Sequence, residues 1–332
     1  MDNRSRAFGG WDRLPVPTRR PGSAYVLTHA LRRTATTAMA VVASLVVLAS
    51  STTVALPDDA VAAAAAPSCG PTRYKPDGSA WRCRFADGFG GRSLDRSRWQ
   101  PVTTRTSGYA INRDCYFDSP RNIAVNRGTL RLTARRTSKP FTCKSPSGRY
   151  RSSYTAASLT TLGRFQQTHG QFEARIRFPG TRGPGTHSAW WLFPTSRAYG
   201  GWPWAGEIDI AEFYAQYPDR VVPQLHYVPR VDAGVASRSN YYCMISKPSD
   251  WHTYRLVWSP TLLTISYDGR TCLSYTLLPA RAESGRSIAA GKPFDKPFTL
   301  NLTQGAGLGD NAPTAGTAFP ATMVVDYVRA WS

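Results

Sequence analysis

Hydrophobic and polar residues alternate with a period of two along much of this chain. Strict alternation runs over eight residues within 170–179, and shorter runs cover 130–134 and 262–267. Because side chains two residues apart share one face of a β-strand, the pattern predicts strands with one buried face. No long window places apolar residues at helical spacing. Short strands separated by Gly, Pro, Asn and Asp predict an all-β sandwich.

Turn signals divide the remaining pattern into further elements. Arg127-Gly128 marks a turn between two strands within 116–134. Asp268-Gly269 is a strong hairpin signal between strands at 262–267 and around Cys272. Alternation in 224–227 predicts a strand next to the acidic segment described below. Residues 138–153 are polar and contain Pro and Gly, so we expect a loop there, held by a cysteine.

The first 66 residues do not share this pattern. Arg32-Arg33 precede an apolar run at 38–49, which is too short to span a bilayer and is typical of a signal peptide. Alanines at 62–66 offer cleavage sites. We expect residues 1–66 to be a signal peptide with a disordered segment, and residues 67–332 to form one folded domain. We therefore expect a secreted, extracellular protein, either free or associated with the cell wall. The alternative is that the apolar run is retained as a membrane anchor.

Cysteine usage agrees with export. The chain has an even number of cysteines and no Cys-x-x-Cys pair, so disulfides are expected rather than a metal site. Six cysteines allow 15 connectivities, and our hypothesis pairs sequence neighbours. The hypothetical pairs are Cys69–Cys83, Cys115–Cys143 and Cys243–Cys272.

The net charge of the protein bears on which classes of molecule it is expected to bind. The formal net charge is +20, of which residues 67–332 carry +17. Such a charge favours polyanions in general. However, the basic residues are scattered, and no nucleic-acid-binding motif is present. We therefore expect a solvated basic surface and no nucleic-acid partner. A monomer is a separate expectation. With 42% hydrophobic residues, the chain suffices for one sizeable core.

The segment 206–212 carries the candidate chemistry. Glu207 and Asp209 are two residues apart and share a strand face, whereas Glu212 falls on the opposite face unless a β-bulge adds one residue. Like charges on one strand face repel, so a catalytic site that separates their pKa values explains them better than an exposed strand does. We expect Glu207 to be the ionised nucleophile, Glu212 the protonated acid, and Asp209 the residue that orients Glu207.

Tryptophans surround this segment in sequence. Trp190 and Trp191 are adjacent and must point to opposite faces of their strand. We expect Trp190 in the core. Trp202 leads into the acidic segment, and an aromatic ring beside carboxylates suits the flat apolar face of a sugar. The sequence therefore favours a polysaccharide substrate, with core packing as the alternative for each ring.

Glu207-Ile208-Asp209-Ile210-Ala211-Glu212 resembles the Glu-x-Asp-x-x-Glu signature of glycoside hydrolase family 16. The extra residue before the last Glu is similar to the laminarinase, agarase and carrageenase branches. Further resemblance lies in 251–260, 268–269, 298–305 and 323–329, so it covers most of residues 81–332. It implies a concanavalin-like β-jelly-roll, a sandwich of two curved antiparallel sheets with the substrate groove on the concave one.

The resemblance also implies individual binding residues. It assigns Trp191 to the groove, and Asn122 and His226 match positions near the family's active site. Asn301 and Gln304 lie in a segment that resembles the family's Leu-Asn-Leu strand, from which both are expected to reach the groove. For His226 a purely structural role is an equal alternative, because a lone histidine is more often structural.

No cofactor is required for the implied chemistry, but family members often hold a structural calcium. Asp326 occupies a matching position for that ion, whereas Gly88 stands where the family usually has Glu. Calcium at Asp326 is therefore the weaker expectation.

The implied activity is that of a retaining endo-glycosidase, most simply on β-1,3-glucan, as in laminarinases. A β-galactan hydrolase of the agarase or carrageenase kind is the alternative, and the +17 charge would suit a sulfated chain. A transglycosylase would use the same residues. A non-catalytic lectin on the same sandwich has no need of both Glu207 and Glu212, so it is disfavoured.

Overall fold

The computed structural model describes residues 68–231, 234 and 238–332. The expected signal peptide and N-terminal segment at 1–66 lie outside the described residues. Within the described part of the chain, no helix is long and apolar enough to cross a membrane.

The described residues form an almost entirely β structure, as the alternation predicts. The strands are β1 (Cys83–Asp87), β2 (Gln100–Pro101), β3 (Cys115–Tyr116), β4 (Ile123–Asn126), β5 (Thr129–Ser145), β6 (Gly148–Thr160), β7 (Gly170–Arg177), β8 (Thr186–Pro194), β9 (Glu207–Tyr214), β10 (Val222–His226), β11 (His252–Trp258), β12 (Leu262–Tyr267), β13 (Arg270–Thr276), β14 (Ala280–Arg281), β15 (Ser287–Ile288), β16 (Phe298–Ala306) and β17 (Ala321–Trp331). Helical structure in the described residues includes a one-turn helix α1 (Thr104–Ser107) and a 3-10 turn (Gly309–Asn311).

Strand pairing divides the sandwich into two sheets. The first, here called the site sheet, has the order β10-β9-β8-β16-β6, and β2 adds to the edge of β6. The second, the back sheet, has the order β5-β17-β7-β11-β12-β13, with β1 and β4 attached. Strands β5 and β6 are paired with each other and continue from one sheet to the other. The fold is the expected jelly-roll sandwich with antiparallel sheets.

The hydrophobic core lies between the two sheets. Alternate residues of each strand enter it, including Trp190 from β8, Phe172 from β7 and Tyr254 from β11, all fully buried. Burying one large side chain of this kind stabilises the fold by about 1.5–3 kcal/mol. A second, smaller apolar cluster covers the outer face of the site sheet and contains Trp191 and Tyr109. The site sheet is therefore covered on both faces near its centre.

The prediction of a loop at 138–153 is wrong. Strands β5 and β6 pair continuously from Phe141↔Ser152 to Ser145↔Gly148, so this segment is a long hairpin with a short turn. Pro140 falls where the β5 register is irregular, between Arg136 and Phe141, where a missing N–H breaks no ladder bond. The hairpin gains further support from β3, which pairs with β6 in parallel. Polar composition misled the prediction because one face of the hairpin is exposed, and the buried face carries small polar residues and a cysteine, such as Ser152 and Cys143.

The hypothetical disulfide pairing is confirmed. The three bridges are Cys69–Cys83, Cys115–Cys143 and Cys243–Cys272, with Cα–Cα distances of 5.7, 6.0 and 5.5 Å. Cys115–Cys143 joins β3 to the long hairpin.

One buried ion cluster stabilises the outer face of the back sheet. Glu173 on β7 has no exposed surface, and its two oxygens accept bonds from Arg73 at 2.7 and 2.9 Å. Arg255 on β11 adds a third bond at 2.8 Å, and Tyr327 on β17 a fourth at 3.0 Å. A buried carboxylate is stable only when donors pair with its charge. Since two of the donors to Glu173 lie on β11 and β17, the cluster connects three neighbouring strands.

Candidate active site

Strand β9 contains the predicted β-bulge. Adjacent residues of β8 oppose Asp209 and Ala211, so Ile210 is the extra residue, and the pairing with β10 shifts at the same place. Ile210 and Ala211 both belong to the core between the sheets. The bulge thereby returns Glu212 to the face that carries Glu207 and Asp209. The three carboxylates lie together on the outer face of the site sheet.

All three carboxylates are nearly inaccessible to solvent. Glu207 is 2% exposed, Asp209 3% and Glu212 8%. Burying three negative carboxylates next to each other costs much free energy unless each one is paired with a donor or protonated. Oε2 of Glu207 and Oε2 of Glu212 are both buried and accept no hydrogen bond from the described residues. Buried carboxylate oxygens without a partner mark positions where a bound ligand can supply the contact.

His226 and Trp202 flank the first two carboxylates. His226 on β10 stands opposite Glu207 in the strand register, and its Nε2 lies 3.1 Å from Asp209 Oδ2. One ligand-type atom of each of these three residues lies within 4.8 Å of the others. The half-buried Trp202 ring is 5.4 Å from the His226 ring. The structure thus brings four of the predicted site residues together.

His187 and Tyr214 contact the third carboxylate, and the sequence analysis missed both. His187 Nε2 lies 2.9 Å from Glu212 Oε1, and the Tyr214 hydroxyl donates to the same oxygen at 2.7 Å. The two rings are 4.9 Å apart. Alternation offered a signal, because His187 lies four residues before Trp191 on one strand and so shares its face.

The three carboxyl groups have different pKa values. Burial, followed by the negative charges of Asp209 and Glu212, raises the pKa of Glu207 well above its ordinary value. Burial and the charge of Glu212 raise the pKa of Asp209 to about 6, although His226 opposes the shift. Burial also acts to raise the pKa of Glu212, but the hydrogen bond and charge of His187, with His226 and Tyr214, bring it below its ordinary value.

This order differs from the expected ionised Glu207 and protonated Glu212. The physical reason is His187, whose hydrogen bond and charge stabilise the negative form of Glu212. Because the groups interact strongly, they titrate as one cluster that shares its protons. In the free protein these pKa shifts favour the protonated form of Glu207 and the ionised form of Glu212.

Trp190 and Trp191 face opposite sides of β8, as predicted. Trp190 is part of the core between the sheets, and Trp191 lies on the face of the carboxylates, opposite Asp209 in the strand register. Trp191 is only 2% exposed, and its indole N–H donates to Thr303 Oγ1 at 3.1 Å. Its place is in the floor of the site.

Asn301 and Gln304 both lie on β16 but on different faces. Asn301 is fully buried on the side of Trp191, its paired residue on β8; its Nδ2 donates to Thr299 O at 3.2 Å, while Oδ1 has no partner among the described residues. Gln304 instead accepts a hydrogen bond from Ser188 at 2.6 Å and shares the core-facing side of its strand with Leu302. The expectation that Gln304 reaches the groove is therefore corrected.

Asn122 lies away from the carboxylates. Its side-chain nitrogen donates to Thr133 O and to Thr155 Oγ1, both at 2.9 Å. Thr155 belongs to β6, which is three strands from β9 in the site sheet. At about 4.8 Å per strand this corresponds to roughly 14 Å. The structure does not bring Asn122 to the acidic cluster.

Asp326 does not fit a calcium site. Its Oδ2 forms an ion pair with Arg175 at 2.8 Å, which supplies the positive charge that calcium would bring. Asp326 also belongs to no group of three ligand-type side chains among the described residues. The expected calcium at Asp326 therefore finds no support in the residues present.

A two-sheet β-sandwich with buried acids on one strand face defines a glycoside hydrolase with a jelly-roll fold. The sequence model of Glycosyl hydrolases family 16 matches residues 112–317, which include the whole acidic strand. The chain belongs to this family.

Relatives and solved structures agree. A beta-glucanase of Rhodothermus marinus is 31% identical over 258 residues, covering 76% of this chain and 85% of that protein. A glucan endo-1,3-beta-glucosidase A1 of Niallia circulans is 29% identical over 267 residues, covering 74% of this chain but only 37% of its own length. The structure of an endo-beta-1,3-glucanase from Pyrococcus furiosus is similar with a TM-score of 0.63 and 28% identity, covering 79% of this chain and 97% of the other.

Proposed function

We propose that this protein is a retaining endo-glycosidase that hydrolyses internal bonds of β-1,3-glucan. The observation that carries the proposal is the bulged strand β9, which gathers Glu207, Asp209 and Glu212 on one face. The substrate is supported by the names of two similar proteins, a glucan endo-1,3-beta-glucosidase and an endo-beta-1,3-glucanase.

The chemistry follows from the two glutamates. Glu207 Oε2, which has no partner among the described residues, attacks the anomeric carbon and forms a covalent glycosyl-enzyme. Glu212 protonates the leaving glycosidic oxygen and then activates the water that releases the sugar. Asp209, which is paired with His226, forms a hydrogen bond with Glu207 and orients it. The negative charge of Asp209 also raises the pKa of Glu207. No cofactor takes part in these steps.

This assignment requires a proton to move within the cluster when substrate binds. A sugar in the groove replaces water around Glu207, and the positive charge that develops at the anomeric carbon stabilises ionised Glu207. Glu212 must then hold a proton for the leaving oxygen. His187 Nε2, 2.9 Å from Glu212 Oε1, is within proton-transfer distance. His187 thus provides a route for protonating Glu212.

A sulfated β-galactan is the second candidate substrate. The observation in its favour is the charge of +17 carried by residues 67–332, which would attract an anionic chain. The same two glutamates would act, so only the substrate distinguishes the candidates.

Secretion is part of the proposal. Three disulfides among the described residues support an oxidising compartment, where a polysaccharide substrate would be met. We propose a monomer that needs no membrane anchor.

Reducing-end release from laminarin, agarose and carrageenan tests the proposal. We expect cleavage of laminarin, and a loss of at least about 1,000-fold in Glu207→Gln because the nucleophile is removed. Asp118→Asn, which changes an exposed carboxylate paired with Arg96, serves as the matched control and should keep full activity. Proton NMR of the first product should show the retained β-anomer.

Three outcomes would contradict the proposal in different ways. Cleavage of carrageenan or agarose alone would replace the substrate but keep the mechanism. An initial α-anomer would exclude double displacement. Full activity in Glu207→Gln would remove the nucleophile assignment.

A further inference from the structure

A basic cavity lies at the side of the sandwich, where β4 and β5 meet the segment before β17. Its volume is about 580 Å³, within the range of small-ligand sites. Arg121, Arg135 and Arg136 line it together with Phe117 and Phe319. No Asp or Glu is part of the lining. The cavity therefore concentrates positive charge in a concave space.

Backbone carbonyls hold two of these guanidinium groups in place. Arg135 Nε donates to the carbonyl of Arg121 at 2.8 Å. Arg136 donates to the carbonyl of Ala315 at 3.1 Å and to that of Thr314. A carbonyl orients a guanidinium without neutralising it, and none of the three arginines forms an ion pair within the described part of the chain. All three charges remain available to an anion, and the two held guanidinium groups have less side-chain entropy left to lose.

The two phenylalanines add apolar surface. The Arg136 guanidinium lies 5.3 Å from the centre of the Phe319 ring, which orients it further. Phe117 is 37% exposed, although its ring is supported by Phe141 at 5.9 Å. Phe319 is half-buried and also packs against Tyr154 at 5.3 Å. The exposed ring of Phe117 beside polar groups suits the apolar face of a sugar ring. The lining thus combines anion recognition with sugar-stacking surface.

The cavity is separate from the acidic cluster. Asn122 lies in its lining and bonds Thr155 of β6, three strands from β9. A chain bound here would leave the carboxylates free.

We propose that this cavity is a second saccharide site, which binds an anionic polysaccharide through its sulfate or carboxylate groups. Arg121, Arg135 and Arg136 bind the anionic groups, since guanidinium forks match the paired oxygens of such groups. Phe117 contacts the sugar rings, and Phe319 orients Arg136. A nucleic acid is the less favoured occupant, because the positive charge is local to one cavity and does not follow an extended track along the surface.

Affinity measurements on the full-length protein test this site. The probes are short dextran sulfate and polygalacturonate oligosaccharides, which carry sulfate and carboxylate groups respectively and are not β-linked substrates. Neutral dextran is the reference. We expect either or both anionic probes to bind and dextran not to bind. Binding of one anionic probe alone would identify the anionic group.

Two sets of variants separate the cavity from general charge. Arg121, Arg135 and Arg136 are replaced by Gln in one protein, and the exposed Arg92, Arg105 and Arg127 in the control, with the same change in net charge. We expect the cavity variant to lose at least about 10-fold in affinity and the control less than twofold. Laminarin hydrolysis should not change in either.

The single variant Arg121→Gln still tests the site if the triple variant does not fold. Its side chain makes no hydrogen bond or ion pair with another described residue, so the fold should be unaffected, and about a threefold loss of affinity is expected.

Several outcomes would overturn the proposal. These are equal losses in cavity and control variants, absence of binding by both anionic probes, or equal binding of a DNA oligonucleotide that is lost in the same variants. Failure of laminarin hydrolysis with anionic binding intact would contradict only the proposed catalytic function.

Discussion

Replacing His187 by Ala should shift the pH dependence of hydrolysis toward higher pH. His187 Nε2 contacts Glu212 Oε1 at 2.9 Å, and the two side chains are only 13% and 10% exposed. The contact stabilises the ionised form of Glu212. Without it, the pKa of Glu212 rises, because burial then acts with less opposition. Glu212 therefore stays protonated, and competent as the acid, to higher pH.

The size of the shift follows from the strength of the contact. A hydrogen bond to a charged group contributes about 1.5–3 kcal/mol, and one pKa unit corresponds to about 1.36 kcal/mol. The pKa of Glu212 should therefore rise by about 1–2 units. The Tyr214 hydroxyl, 2.7 Å from the same oxygen, remains and limits the shift to the lower part of that range.

The assay is the pH profile of kcat on the cleaved polysaccharide, because kcat reports the substrate complex, in which Glu212 holds the proton. Its basic limb reports ionisation of the acid, so we expect this limb to move upward by about 1 unit in His187→Ala. His187→Gln keeps a donor but removes the charge, and an intermediate shift is expected. His252→Ala is the matched control, since His252 contacts Asp268 on the back sheet at 2.6 Å.

An unchanged basic limb in a folded His187→Ala protein would refute this reasoning. A shift of equal size in His252→Ala would show that net charge, and not the contact with Glu212, controls the profile. A fall in kcat without a shifted limb would leave His187 with a purely structural role.

Two further predictions concern stability. Burial acts to raise the pKa of Glu173, but Arg73 and Arg255 outweigh it and hold the pKa below its ordinary value. Its stabilisation is therefore complete above about pH 4.3 and is lost as pH falls below that. Glu173→Gln should cost about 3 kcal/mol, and its Tm should vary less with acid pH than that of the wild type. Replacing Cys243 and Cys272, 29 residues apart, by Ser should lower the free energy of unfolding by about 3–4 kcal/mol, measured with urea.

The class of fold and the acidic motif were predictable from sequence because both depend on local rules. Alternation reports which face of a strand is buried, whatever the strand pairs with. The count from Glu207 to Glu212 required a bulge if the acids were to act together, and the bulge at Ile210 is present. The neighbour pairing of the disulfides was a hypothesis that the structure confirms.

Pairing between distant segments decided the remainder. Polar residues at 138–153 became strands because two chain segments satisfy each other's backbone groups. Gln304 faces the core because it lies on the same side of β16 as the buried Leu302. Asp326 is paired with Arg175 from the neighbouring strand β7. His187 is far from Glu212 in sequence, yet the pairing of β8 with β9 places it on the candidate acid. Local patterns therefore determined which groups are present, and tertiary structure determined which of them touch, because contacts between strands depend on the register of the whole sheet.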